Sequence, residues 1–336
     1  MSIIYSLFVF LIVILVHEFG HFIVAKLNNI RVNEFSIGMG PKLLSKQGEE
    51  TFYTLRALPI GGYVALEGED DESDDPRSFN RAHPLKRIAV LFAGAFMNFL
   101  LAIFLFSFIF LIVGSPSDST VIGDIMENYP AVESSLEVGD RIINIDNNPI
   151  ESWNDISKVI NESKKDELII EFERNGETLN TSINPVNDGG NYIIGITPVY
   201  EKNIGSAISS AFTNTKTVIL QVYEFIGNLI TGQANISGLS GPVGIVRMIG
   251  SSSQQGIFTL LTLAAIISAN LGAFNLLPFP ALDGGTIFIT FIEMIIGKEV
   301  PDKVKIGLNV VGLSLLLGLI LYVTVFNDIL GGNRIG

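Results

Sequence analysis

The chain has 336 residues, of which 48% are hydrophobic and only 16% charged, with a mean hydropathy of +0.46. That balance excludes a pair of purely soluble domains and describes a membrane protein carrying a soluble insert. A formal net charge of −13 without a basic patch excludes nucleic acid as a partner, and the absence of cysteine excludes disulfides, thiolate zinc sites and thiol nucleophiles.

The first apolar stretch, residues 3–25, reaches the roughly 20 residues that a spanning helix needs. No basic residue precedes Lys26, no small-residue cleavage site follows, and the apolar run outlasts a signal-peptide core, so it reads as a retained helix. Its only strongly ionisable side chains are His17, Glu18 and His21, in the order His-Glu-Phe-Gly-His. Histidines at i and i+4 stack on one helix face, where both rings reach one metal ion, and the glutamate beside the first is the usual general base of such sites. Ionisable groups at bilayer depth are costly and are kept for chemistry. The stretch reads as a zinc site inside a membrane.

Residues 26–87 are polar and carry nine Lys/Arg, and a second apolar stretch follows at 88–113. Lys26, Arg31, Lys86 and Arg87 lie close to the helix ends, and Lys298, Lys303 and Lys305 precede the last apolar stretch. The positive-inside rule makes both connections cytosolic, puts both termini outside and leaves residues 114–256 extracytoplasmic. The run EGEDDESDD, Glu67 to Asp75, holds seven acids and reads as a solvated loop. His83, before Pro84, reads as a surface histidine where a helix begins.

Residues 114–200 read as a small soluble domain. Strand patterns cover 120–125, 141–145, 167–173 and 191–197, and a helix covers 152–163 with Trp153, Ile156, Val159 and Ile160 on one face. Turn signals fall at Asn147-Asn148-Pro149, Asn175-Gly176 and Asp188-Gly189-Gly190. The stretch from Pro130 to Asp146 resembles a PDZ signature, with Ser135 where a glycine is usual. Residues 201–256 read as an amphipathic, membrane-surface segment. Its helical pattern over 204–232 is too polar to span, and it fits either a helix on the outer membrane face or one packed on the preceding domain.

Two more apolar stretches, 257–277 and 306–326, complete four candidate spans. A catalytic zinc takes three protein ligands. Without cysteine, the third is His83 or a carboxylate, and Asp283 is the stronger candidate. It follows Pro278 and Pro280, which cannot continue a helix, and precedes Gly284-Gly285, which allows close main-chain approach. Irregular backbone at membrane depth needs protein or a water cavity around it. The competing role for Asp283 is to cap the next helix. Asn275 either pairs with Asn98 of the second span or holds the substrate backbone or oxyanion near the metal.

With HEFGH in the first span, Ser36-Ile37-Gly38-Met39-Gly40-Pro41 and Leu58-Pro59-Ile60-Gly61-Gly62-Tyr63-Val64 after it, and NLLPFPALDGG in the third, the chain resembles the site-2 proteases. These are intramembrane zinc metalloproteases, and the likeness is to the RseP type with an inserted PDZ domain. The resemblance implies Zn2+ held by His17, His21 and Asp283, with Glu18 as general base. It implies substrate-binding roles for Asn275, Gly38, Met39, Gly40, Pro278 and Pro280, the glycine stretch lying in a membrane-reentrant β-hairpin. The expected fold is an α-helical multi-pass membrane protein of about four transmembrane helices, with a cytosolic reentrant hairpin and an inserted PDZ-like α+β domain. Its parts are a membrane core at 1–113, the PDZ-like domain at 114–200, the surface segment at 201–256 and a second half of the core at 257–336. The expected substrates are membrane-spanning proteins or peptides, such as anti-sigma factors or remnant signal peptides, cut in the lipid bilayer of a bacterial cytoplasmic membrane by a monomer. Ala93-Gly94-Ala95 stands where Ala-Gly-Pro is common, which leaves the second span less kinked.

Overall fold

The computed structural model describes residues 2–69, 73–163, 165–188, 190–234 and 239–331. Among the described residues, four helices are long and apolar enough to cross a membrane: Ser2–Leu27, Pro84–Val113, Ile257–Asn275 and Asp302–Ile329. The first, α1 (Ser2–Leu27), ends with Lys26 in its last turn, where a cation meets the negative end of the helix dipole. The second, α2 (Pro84–Val113), starts four residues before the apolar run because Pro84 is pre-set for a helical first turn, and it runs unbroken through Ala93-Gly94-Ala95.

Between these two helices lie strands β1 (Val32–Gln47) and β2 (Phe52–Leu66). Both bend, at Gly38 and Gly40 (φ +84°) and at Gly61 (φ +82°), so that Ser36 lies across from both Tyr63 and Thr54. The base of this hairpin is rooted by Val32 and Leu66, which pack with Ala25 and Ile30 and with Val90 and Leu91 of α2. Its far part leaves Met39, Leu43, Leu44, Leu58 and Ile60 exposed. The acidic run is less free than its charge suggests: Glu67 accepts from Asn33 and Ser73, and Asp75 pairs with Arg31 at 3.0 Å. Residues 70–72 of that run lie outside the described residues.

Residues 107–210 form a compact unit of their own. It contains β3 (Ser115–Pro116), β4 (Ile122–Ile125), β5 (Arg141–Ile145), β6 (Asn148–Pro149), α3 (Trp153–Ser163), β7 (Leu168–Arg174), β8 (Glu177–Ile183), β9 (Val186–Asp188), β10 (Asn191–Ile193), β11 (Ile196–Pro198) and β12 (Tyr200–Glu201). Four strands make a sheet in the order β6-β5-β7-β8, and β11 pairs with β4. Ile142, Ile145, Leu168, Ile170 and Phe172 of the sheet bury themselves against Ile156 and Ile160 of α3. Asn175 (φ +54°) and Gly176 (φ +85°) form the tight turn from β7 to β8, the backbone that an Asn-Gly pair favours. The single strand expected over 191–197 is two, because Gly195 at φ +87° breaks the extended chain.

The segment 201–256 is mostly helical. It holds two helices, α4 (Ile204–Ile230) and α5 (Pro242–Gln255), and α5 belongs to the helical bundle. Ile249 of α5 is fully buried with Val9 and Val13 of α1 and with Leu260 and Leu263 of α6 (Ile257–Asn275). Gly250 brings α5 so near α1 that a Cβ there would meet Ser2 Oγ at 2.6 Å. After α6 the chain turns into α7 (Asp283–Ile296), a helix in the connection before the last span. That span, α8 (Asp302–Tyr322), begins at the Pro301-Asp302 start signal rather than at residue 306, and continues as a π-helical stretch to Ile329.

Candidate metal centre

His17 and His21 lie one turn apart on α1, both buried, with ring centroids 4.7 Å apart and edge to face. Their Nε2 atoms are 3.1 Å apart. Asp283 reaches them from α7, with Oδ2 at 3.2 Å from His17 Nε2 and 3.4 Å from His21 Nε2. Asp283 is the first residue of α7; the cap position is Leu282, without a side-chain cap bond, so the carboxylate is turned to the histidines instead. The turn that carries it follows from Pro278 and Pro280, which end α6 and keep the chain irregular to residue 282. Gly284 and Gly285 pack on the carbonyls of Leu277 and Phe279, where any side chain would clash.

The donor chemistry calls for a cation. His21 Nδ1 lies 2.8 Å from the carbonyl of Val90, which can only accept, so Nδ1 carries the proton. Nε2 of the neutral ring is then an acceptor, and it faces a carboxylate oxygen that is also an acceptor. The triangle of donors has edges of 3.1, 3.2 and 3.4 Å. A tetrahedral ion with bonds of about 2.0–2.1 Å spaces its ligands about 3.3 Å apart, and two imidazoles with one carboxylate suit zinc. The residues fit the ion.

A stripe on α2 supports the two rings. Val90, Gly94 and Asn98 recur every four residues and so share a face. Val90 orients His21, Gly94 admits both rings, and the Asn98 amide lies 3.3 Å from His17 Nδ1. Asn98 Oδ1 is buried without a partner among the described residues. With a proton on His17 Nδ1, a half-turn of the amide satisfies both groups. Asn275, the last residue of α6, places its amide nitrogen 3.4 Å from His17 Nε2. The two asparagines both face His17 rather than pairing with one another.

Glu18 is half-buried, one residue round the helix, within electrostatic reach of His17, His21 and Asp283. The hairpin approaches it through β2: Cγ of Glu18 lies 3.8 Å from where a Cβ on Gly62 would stand, and the Val64 main chain is close by. Gly38, Met39 and Gly40 sit farther along the hairpin at the bend of β1, with Met39 across from Leu58. His83 is exposed at the start of α2, where its Nδ1 accepts from Leu85 N–H. Among the described residues, His17, His21 and Asp283 form the one cluster suited to a metal.

Sequence reasoning missed Val90, Gly94 and Gly62 as parts of this centre. Gly94 left one trace, the run of three small residues in an otherwise bulky span. Val90 acts through its carbonyl, which no side-chain pattern can report.

The model of peptidase family M50 matches residues 5–319. A putative zinc metalloprotease of Clostridium perfringens is 43% identical over 329 residues, covering 97% of this chain and 98% of that protein. The regulator of sigma-W protease RasP of Bacillus subtilis is 32% identical over 399 residues, covering 93% and 94% respectively. A solved PDZ domain of an SdrC-like protein from Listeria monocytogenes is 28% identical over 24% of this chain and 88% of its own, with a TM-score of 0.22.

Proposed function

Since the chain belongs to peptidase family M50, and is thereby a metalloprotease with helices fit to cross a membrane several times, we propose that it cuts membrane-spanning segments with zinc held by His17, His21 and Asp283. The observation that carries this reading is the triangle of two Nε2 atoms and one carboxylate oxygen, drawn from elements more than 260 residues apart in sequence. A zinc ion held there supplies Lewis acidity, polarising a carbonyl and making water acidic near neutral pH.

The remaining work falls to side chains. Glu18 takes a proton from the attacking water and returns it to the amine released when the peptide C–N bond breaks. Val90 and Asn98 fix the imidazoles so that Nε2 points inward. Asn275 holds the substrate main chain or its developing oxyanion. A helical substrate hides its peptide bonds, so it must be extended before attack, and strand addition to the hairpin does this. Gly38, Met39 and Gly40 shape that hairpin, and the loop with Pro278 and Pro280 faces the substrate from the other side. The closeness of Gly62 and Val64 to Glu18 supports β2 as the nearer edge.

The unit over 107–210 carries the PDZ-like domain, which gates substrate access from outside. An apolar groove between α3 and residues 192–196, lined by Trp153, Ile156, Ile160 and Tyr192, supports this reading. Both termini and this domain are extracytoplasmic, and the metal centre lies towards the cytosolic side. The name of the Bacillus subtilis relative, a regulator of sigma-W protease, supports proteins that control a sigma factor as one substrate class.

The test is Glu18→Gln in the full chain. Cleavage of a transmembrane reporter falls by about 10²–10⁴-fold while zinc stays near one per chain. Full activity in that variant overturns the mechanism.

A further inference from the structure

We propose that Asn309 of the last span is a positioning residue for the metal centre: its side-chain oxygen braces the Ala281 turn that delivers Asp283 to the two histidines. This rests on the ligand assignment made above.

Asp283 is not carried by a continuous helix. α6 stops at Asn275, the chain turns through residues 276–282, and α7 opens on Asp283 itself. Two residues earlier, Ala281 stands at φ +69°. An L-residue avoids that region because its Cβ crowds the neighbouring carbonyl, and alanine lacks the short polar side chain with which Asn or Asp offsets the crowding. Such a conformation persists only where the surroundings over-determine it.

The last span does so. Ala281 N–H donates to Asn309 Oδ1 at 3.2 Å. Three residues on, Gly312 is buried against Pro280: a Cβ at 312 would come within 2.5 Å of the Pro280 carbonyl oxygen. Residues three apart share a helix face, so one face of α8 grips residues 280 and 281 together. Asn309 is the only amide side chain in α8. A polar side chain in an apolar span is retained where it bonds, and an irregular backbone N–H at that depth needs an acceptor. The two needs meet in this one bond. Metal ligands must be held to within about 0.5 Å, so a turn that relaxes two residues before Asp283 loosens the site without touching a ligand.

The test uses the full chain as wild type, Asn309→Ala, Asn309→Ala with Ala281→Gly, and Asp283→Ala. Each is titrated with a zinc chelator, and retained zinc is measured beside reporter cleavage and the thermal unfolding of the metal-free protein. Asn309→Ala gives up half its zinc at about tenfold lower chelator activity than wild type, the loss typical of an outer-shell support. Adding Ala281→Gly restores retention towards wild type, because glycine adopts positive φ without the Cβ clash. A role in general stability would lower the unfolding temperature and would not be repaired by a glycine at residue 281. Wild-type retention in Asn309→Ala overturns the proposal, and so does a loss that Ala281→Gly leaves unrepaired. Asp283→Ala separates the two claims. If it keeps zinc, the ligand assignment fails whatever Asn309 does; if it loses zinc while Asn309→Ala holds it as wild type does, only the brace fails.

Discussion

Gly94 of α2 sits against His21 of α1 so closely that a Cβ on residue 94 would stand 2.4 Å from Nε2. The same methyl would come within 2.7 Å of His17 Cε1. No side chain fits there without moving the rings. Gly94→Ala is expected to cost about 1–3 kcal/mol of stability by overpacking. It should also lower zinc affinity by about 10–100-fold, because the rings that carry Nε2 are displaced. Zinc content after dialysis, with reporter cleavage, reads the result. An alanine variant with wild-type zinc and activity would show that α2 is free to move away.

Glu34 of β1 makes the hairpin sensitive to acid. Burial pushes its carboxyl up, but the donors Thr54, Arg56, Tyr63 and Lys42 outweigh that and hold it at about 2, below the ordinary 4.5. A depressed value means that the charged form stabilises the fold. The contribution is present above about pH 4.5 and is lost as pH falls towards 2. Relative to an unstructured reference peptide digested alongside, pepsin should therefore cut within residues 32–66 much faster at the bottom of that window than at the top. Glu34→Gln should be cut quickly throughout, and a flat wild-type profile would remove Glu34 from the account.

In the unit over 107–210, Asp140 is 1% exposed and depends on one arginine. Arg174 meets it in a fork, Nε to Oδ1 and Nη2 to Oδ2, both at 2.7 Å. Burial raises the Asp140 carboxyl, and the Arg174 guanidinium and the Glu137 N–H bring it below its usual range. Removing the arginine strands a buried charge. Arg174→Met is expected to destabilise this unit by about 3–5 kcal/mol, read by denaturant unfolding of the full chain. Adding Asp140→Asn should recover much of that loss. A change below about 1 kcal/mol in Arg174→Met would mean that the pair is dispensable.

The orientation is open to a clean assay because the chain has no cysteine. Asn187 lies exposed in β9 and Glu49 lies exposed between β1 and β2. On intact cells, a membrane-impermeant maleimide should label Asn187→Cys at once and Glu49→Cys only after permeabilisation. The reverse pattern would invert the topology.

Much of the centre is legible in the amino-acid sequence alone. The spacing of His17 and His21 puts both rings on one face of any α-helix, whatever packs around it. The prolines around residue 279 end a helix by their own chemistry, and the Asn-Gly pair at 175–176 turns a hairpin for the same local reason. Elements whose neighbours matter were harder to see. Ile245, Val246 and Ile249 share one face of residues 242–255, but nothing local says that this face will be buried against α1 rather than laid on a surface. Glu67 and Asp75 sit in a run that reads as solvated, yet Asn33 and Arg31 bring its ends to the hairpin.

By itself the sequence determined the four long apolar segments, the histidine pair with its adjacent glutamate, and the broken backbone before Asp283. Each depends on helix length, helix period or proline geometry, which act within a few residues. Tertiary structure alone decided that α2 presents Val90, Gly94 and Asn98 to the histidines, that Gly62 lies beside Glu18, and that Asn309 meets Ala281. α1 and α2 are apolar on nearly every side, so hydrophobic period gives them no preferred face. Which faces meet is then set by small residues and single hydrogen bonds between distant parts of the chain, and Gly94 pressed against His21 is the clearest case.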